Sequence, residues 1–217
     1  MAGVVLEGAG PVRLIEGVAE LAEGAAHLAA ICPVWARVLP GLVLPLRRRP
    51  DGFAAIAHAI VGQQVSTAAA ATVWARMQAA GLADEAAIRA AGEADLRAMG
   101  LSGRKARYLL GVAAARVDWV ALRALPDAAV EARLTALPGI GPWTAQIYLL
   151  FALGRADAFA PADLALAEAA RLLYGLPSRP GPAELARMAA PWAPWRGVAA
   201  RALWAYYREA KGREGVS

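Results

Sequence analysis

The chain has 217 residues, enough to bury a full hydrophobic core without a metal or disulfide staple. With 59% hydrophobic and 19% charged residues it is too apolar and too weakly charged for intrinsic disorder. A single cysteine, Cys32, excludes an internal disulfide framework, an all-cysteine zinc site and a four-thiolate iron–sulfur cluster, and fits a reducing, intracellular compartment. The net charge of +5 and pI of about 9.9 point to a polyanionic partner, although 21 of the 23 basic residues are arginine, a bias that genome composition alone can produce.

Residues 1–10 carry Glu7 and no basic residue ahead of their apolar part, so they lack the charged start of a signal peptide and a cytoplasmic location is expected. Residues 1–50 read as a helical extension broken by glycines and by Pro33, Pro40 and Pro45. It ends in the basic connector Leu46-Arg47-Arg48-Arg49-Pro50, either a solvated loop or a phosphate contact. Apolar spacing of three and four residues recurs along the chain between short Gly/Pro breaks, and few segments alternate with period two, which predicts an all-α protein. Helices are expected over residues 14–30, 53–60, 66–80, 85–91, 93–99, 103–116, 119–125, 127–136, 142–153, 164–174, 182–190 and 194–210. Residues 52–75 and 134–154 hold no Asp, Glu, Lys or Arg and are long enough to span a bilayer. His58, Gln63 and Gln64 in the first, and Pro138, Gly139, Gly141, Pro142 and Gln146 in the second, mark them instead as buried helices of a soluble core, so no membrane partner is expected.

The strongest local signal is Leu137-Pro138-Gly139-Ile140-Gly141-Pro142-Trp143-Thr144-Ala145. It describes a tight turn between helices, with glycines free to take positive φ and Pro142 suited to the first turn of the next helix. Free N–H groups and a helix dipole there make a seat for a phosphate, while an ordinary αα turn would share the Gly-x-Gly. Asp163 follows Gly141 by 22 residues and precedes an amphipathic helix, so it reads as an N-cap and as a carboxylate that the helix dipole keeps ionised. Gln63 and Gln64 sit between two apolar helices, where amides serve either helix-end solvation or a ligand. Ser102, Arg104, Lys105 and Arg107 form a basic turn, for backbone phosphates or simply for solvent. His27 and His58 stand too far apart in sequence to argue for a metal or a catalytic pair.

In order and spacing these strings resemble the helix-hairpin-helix DNA glycosylases of base-excision repair, and within them the AlkA-type 3-methyladenine glycosylases. The likeness rests on Ile60-Val61-Gly62-Gln63-Gln64-Val65-Ser66, Gly100-Leu101-Ser102-Gly103-Arg104-Lys105-Ala106, the hairpin, Phe159-Ala160-Pro161-Ala162-Asp163 and Trp192-Ala193-Pro194-Trp195-Arg196, and covers about residues 51–207. It implies a two-lobed helical fold with the active-site cleft between lobes. The glycosylase core would run over 51–211, with one lobe from about 61–155, the other from both chain ends, and a tail at 212–217.

The resemblance also implies the chemistry. Asp163 would stabilise the oxocarbenium formed when an alkylated purine of the 3-methyladenine or 7-methylguanine type is flipped out of duplex DNA and its N-glycosidic bond hydrolysed. Ala162 stands where many AlkA-type sequences have a second acidic residue. Trp143 stands where strand-cleaving members carry a lysine, so no Schiff base is expected. Trp143, Trp204 and Tyr148 would line the base pocket, although the AlkA-type pocket tyrosine falls at Ile147; for Trp143 a core role at a helix start is the competing reading. Gln63 and Gln64 would carry the wedge that fills the gap in the DNA. Gly139, Ile140, Gly141, Thr144, Ser102, Arg104 and Lys105 would hold the DNA backbone. A monovalent or divalent cation on backbone carbonyls of Leu137 and Ile140 is the one cofactor the resemblance suggests; none is required. The partner would be double-stranded DNA with a damaged base, and the protein would act alone as a monomer. Two other readings stay open: a glycosylase for hypoxanthine, uracil or oxidised purines, and a non-catalytic DNA-binding module that keeps only the hairpin.

Overall fold

Short polar side chains set many of the helix starts. Ser66, Asp84, Ser102, Asp118 and Asp163 each accept a hydrogen bond from a backbone N–H in the first turn of the helix that follows, satisfying donors that would otherwise have no partner. The computed structural model describes residues 12–210, so the expectations for residues 1–10 and 212–217 lie outside the described residues. The helices are α1 (Val18–Ile31), α2 (Pro33–Val38), α3 (Phe53–Gly62), α4 (Thr67–Ala79), α5 (Glu85–Ala90), α6 (Glu93–Ala98), α7 (Gly103–Ala114), α8 (Trp119–Arg123), α9 (Asp127–Thr135), α10 (Pro142–Ile147), α11 (Leu164–Tyr174), α12 (Pro182–Ala189) and α13 (Arg196–Ala210). A π-helical segment, Tyr148–Leu153, continues α10. The expected all-α class is the one found: among the described residues the only β pairing is an isolated bridge between Leu14 and Arg155.

That bridge corrects the expected helix start at residue 14. Ile15 donates its N–H to Gly154 O at 2.7 Å, and Ala156 donates to Arg13 O at 3.0 Å, so residues 13–15 are extended and α1 begins at Val18. Helix α2 was not expected, because Pro33 reads as a break; here it occupies the first helical position, where its missing N–H costs nothing.

Two groups of helices pack around the middle of the chain. Helix α3 packs on α4 and α7, with α5 and α6 against α7; α13 packs on α11 and α1, with α2 against α1. Chain ends that are far apart in sequence thus share one side. A Cβ on Gly24 would lie 2.5 Å from Val198 Cγ2 and 2.8 Å from Trp195, so α1 meets α13 closely only because residue 24 is glycine. Trp192 fills the space beneath, edge-on to Trp35 at 5.3 Å and to Phe159 at 5.8 Å between ring centroids.

The basic connector runs along the join. Arg49 N–H donates to Phe151 O at 3.0 Å, Arg48 Nη1 donates to Ala152 O at 2.9 Å, and Arg201, fully buried on α13, donates to Gly197 O and Leu150 O at 2.9 Å and to Leu46 O at 3.4 Å. Burial, then the charges of Arg48 and Arg47, push Arg201 down to about 10, still ionised at neutral pH. No helix among the described residues is long and apolar enough to cross a membrane.

Candidate active site

Asp163 caps α11, and the cap fixes its carboxylate. Oδ1 accepts from Ala165 N at 2.9 Å, Leu166 N at 3.0 Å and Trp204 Nε1 at 3.2 Å. Oδ2 accepts from Trp143 Nε1 at 2.9 Å. Three donors on one oxygen use its accepting capacity, whereas Oδ2 keeps a free lone-pair direction. Both roles raised by the sequence, cap and functional carboxylate, are thus compatible in one side chain.

The carboxylate borders a cavity of about 300 Å³ that Trp143, Trp204, Ile147, Phe151, Ala59 and Val65 also line. This is the small end of the usual range for ligand pockets, about 300–1,000 Å³. Trp143, Ile147 and Phe151 are spaced by four and form one stripe of α10 and its π-helical continuation. Phe151 and Trp204 lie tilted against each other, 5.4 Å between centroids. The expected pocket place of Tyr148 fails by one helical position. Thr144 and Tyr148 fall on the adjoining stripe, which is buried. The Tyr148 hydroxyl accepts Gly52 N–H at 3.0 Å and its ring lies 6.1 Å from Trp119, so it packs behind the cavity and does not line it, against the expectation; burial pushes it up to about 12. Thr144 is 4% exposed, so its side chain is buried rather than on the surface that the expected contact with a DNA backbone requires.

Three basic residues that the sequence did not single out for this site also line it: Arg47, Arg49 and His58. The two arginines come from the connector, and a local signal for their place is lacking because the long-range bonds of Arg48, Arg49 and Leu46 set it. The period of four in Trp143, Ile147 and Phe151 would have found the apolar wall.

The hairpin sits on α7. Gly139 has φ +77°, and a Cβ there would lie 2.2 Å from the Tyr108 ring; a Cβ on Gly111 would lie 2.5 Å from Pro138. Gly141 is exposed at the start of α10. The Ile140 side chain is buried and its N–H is spent on Leu137 O at 3.3 Å, which removes it from the expected phosphate contacts. The same bond leaves the Leu137 carbonyl one lone pair, so the hairpin carbonyls can still hold a cation. Gln63 Nε2 donates to Gly139 O at 2.9 Å and ties α3 to the hairpin, so it is not a wedge. Gln64 is exposed, at φ +56°, with Oε1 accepting from Arg104 Nη2 at 2.9 Å. Val65, 46% exposed beside it, lines the cavity. Ser102 and Arg104 lie on the surface, but Lys105 Nζ turns inward to Val61 O at 2.7 Å, a helix C-terminus rather than a phosphate; burial and then the Arg104 charge lower its pKa.

Residues 57–194 match the HhH-GPD superfamily of base excision DNA repair proteins, and the chain belongs to that superfamily. Over 72 residues it is 46% identical to a Mycobacterium tuberculosis protein named a probable bifunctional transcriptional activator/DNA repair enzyme AlkA; the stretch covers 33% of this chain and 14% of that one, so this chain matches only a small part of that relative. Over 203 residues it is 29% identical to DNA-3-methyladenine glycosylase 1 of Schizosaccharomyces pombe, covering 87% of this chain and 89% of that one. The solved structure of an S. pombe 3-methyladenine DNA glycosylase in complex with abasic DNA matches with a TM-score of 0.74 at 26% identity, over 87% of this chain and 97% of that one.

Proposed function

We propose that this protein is a monofunctional DNA glycosylase that releases alkylated purines from duplex DNA. The observation that carries the reading is Asp163, held by two indole N–H and two backbone N–H donors at the edge of a cavity large enough for one base. As the C1′–N bond breaks, its electron pair leaves with the base, and the sugar gains positive charge beside the free lone pair of Oδ2. An anion at a fixed position stabilises that charge without reorganising, and the same oxygen orients the water that attacks C1′. A purine that already carries a positive charge leaves as a neutral base and needs no general acid.

The aromatic walls suit such a base by stacking and cation–π attraction. Lys105 is the only lysine among the described residues, and its amine is engaged away from the cavity, which supports hydrolysis over Schiff-base strand cleavage. Exposed Gly141, Ser102 and Arg104 form the surface for the DNA backbone, with Gln64 and Val65 as the segment that enters the stack. Hairpin carbonyls of Leu137 and Ile140 would hold a cation that helps seat a phosphate. The protein acts as a monomer. The test is release of free methylated bases from methylated duplex DNA by the wild type and by Asp163→Asn, with binding to the same DNA measured in parallel. Release by the wild type alone, with binding in both, supports the reading; no release by either overturns it.

A further inference from the structure

Three basic groups of the cavity have no part in the mechanism above. Arg49 is held at two points: its backbone N–H on Phe151 O, and Nη1 donating to Nδ1 of His58 at 3.1 Å. A guanidinium can only donate, so Nδ1 is the acceptor and the neutral ring carries its proton on Nε2. His58 is half-buried and edge-on to Trp74, 5.2 Å between centroids; burial, then the Arg49 charge, holds it below the usual histidine range. Its Nε2 has no hydrogen-bond partner among the described residues. Arg47, at φ +46°, has no carboxylate partner among them either; burial, then the charges of Arg208 and Arg49, lower its pKa. Every polar side chain on this wall of the cavity is therefore a donor.

We propose that His58 and Arg49 select the flipped base by the group at its six position. A purine with a carbonyl there, such as 7-methylguanine, accepts from His58 Nε2–H and the Arg49 guanidinium, whereas 3-methyladenine brings an amino group that meets donors. The proposal rests on the glycosylase reading. Both methylated purines are cationic in DNA, so the arginine charges act on them alike and the hydrogen-bonding edge decides between them. One matched against one opposed hydrogen bond in a half-buried site is worth roughly 10- to 100-fold in relative release.

The experiment measures both bases released from one pool of methylated duplex DNA by the wild type, His58→Leu, Arg49→Met and His58→Gln. His58→Leu and Arg49→Met are expected to raise the ratio of 3-methyladenine to 7-methylguanine released at least tenfold, while His58→Gln, which keeps a donor, stays within threefold of the wild type. A variant that merely folds less well loses both bases in proportion, so the ratio is insensitive to that fault. An unchanged ratio in both His58→Leu and Arg49→Met overturns the proposal and leaves the pair a structural role. A wild type that releases neither base overturns the glycosylase reading and the proposal with it, which tells the two failures apart.

Discussion

Trp143 and Trp204 hold one carboxylate from two helices, the first through Oδ2 of Asp163 at 2.9 Å and the second through Oδ1 at 3.2 Å. The carboxylate plane is thereby set by α10 and α13 together, and α11 adds two backbone donors from a third direction. Such a group pays its orientation in folding and needs none during reaction.

Asp163→Asn tests charge apart from capping. Asparagine caps a helix about as well as aspartate but sets an NH2 donor against the Trp143 indole N–H, so the variant should stay folded with a melting temperature several degrees lower. Base release in single turnover should fall about 10²–10³-fold or more, as expected for removing one fixed electrostatic partner of the transition state. Near-normal release would reduce Asp163 to a helix cap.

Trp204→Phe removes one donor and keeps a ring against Phe151. A hydrogen bond to a charged group is worth about 1.5–3 kcal/mol, so freeing Oδ1 from the indole should slow release roughly tenfold to a hundredfold. Circular dichroism should change little, while melting should fall by several degrees as the same bond is lost from the folded state. Unaltered kinetics would mean that the two backbone donors suffice to hold the carboxylate.

Gly139→Ala should destabilise the protein by about 2–4 kcal/mol, because φ is +77° and the new methyl would meet the Tyr108 ring. Denaturant unfolding measures this. Adding Tyr108→Ala relieves the clash but not the backbone strain, so the double variant should recover part of the loss relative to Tyr108→Ala alone.

Acid stability carries a signature of Glu168. Hydrogen bonds from Arg171, then from Arg179, hold this carboxylate at about 2, below its unfolded value of 4.5. Its contribution is present above pH 4.5 and is lost as pH falls toward 2, because the unfolded chain binds the proton first. Glu168→Gln should flatten that part of the stability–pH curve while leaving the part above pH 5 parallel to the wild type, as urea midpoints measured from pH 2.5 to 7 would show.

Much of the fold is legible because most helix boundaries are local events: a capping Ser or Asp, a glycine, a proline. The exceptions are not local. Residues 13–15 leave the helix to pair with Gly154 and Ala156, some 140 positions away, and no nearby residue announces it. Pro33 starts a helix where the sequence suggests a stop, since proline is tolerated in either place. At the site, Asp163 stands out as a helix cap, and the resemblance alone points to Trp143 and Trp204. Tyr148 misleads because an aromatic one position off the cavity stripe looks like an aromatic on it, and only the packing of the π-helical segment on α3 separates the two. The connector reads equally as a solvated loop or a phosphate contact because its place beside the cavity depends on bonds of Arg49 to Phe151 and of Leu46 to buried Arg201.

The cavity draws its walls from the connector before α3, from α10 and from α13, segments separated by about a hundred and by more than fifty residues. Whatever fills it acts as a clasp between distant parts of the chain. Occupancy and folding are therefore linked: a tight ligand at a hundred times its dissociation constant adds about 2.7 kcal/mol to the stability of the whole fold, and loosening either chain end weakens binding by the same coupling.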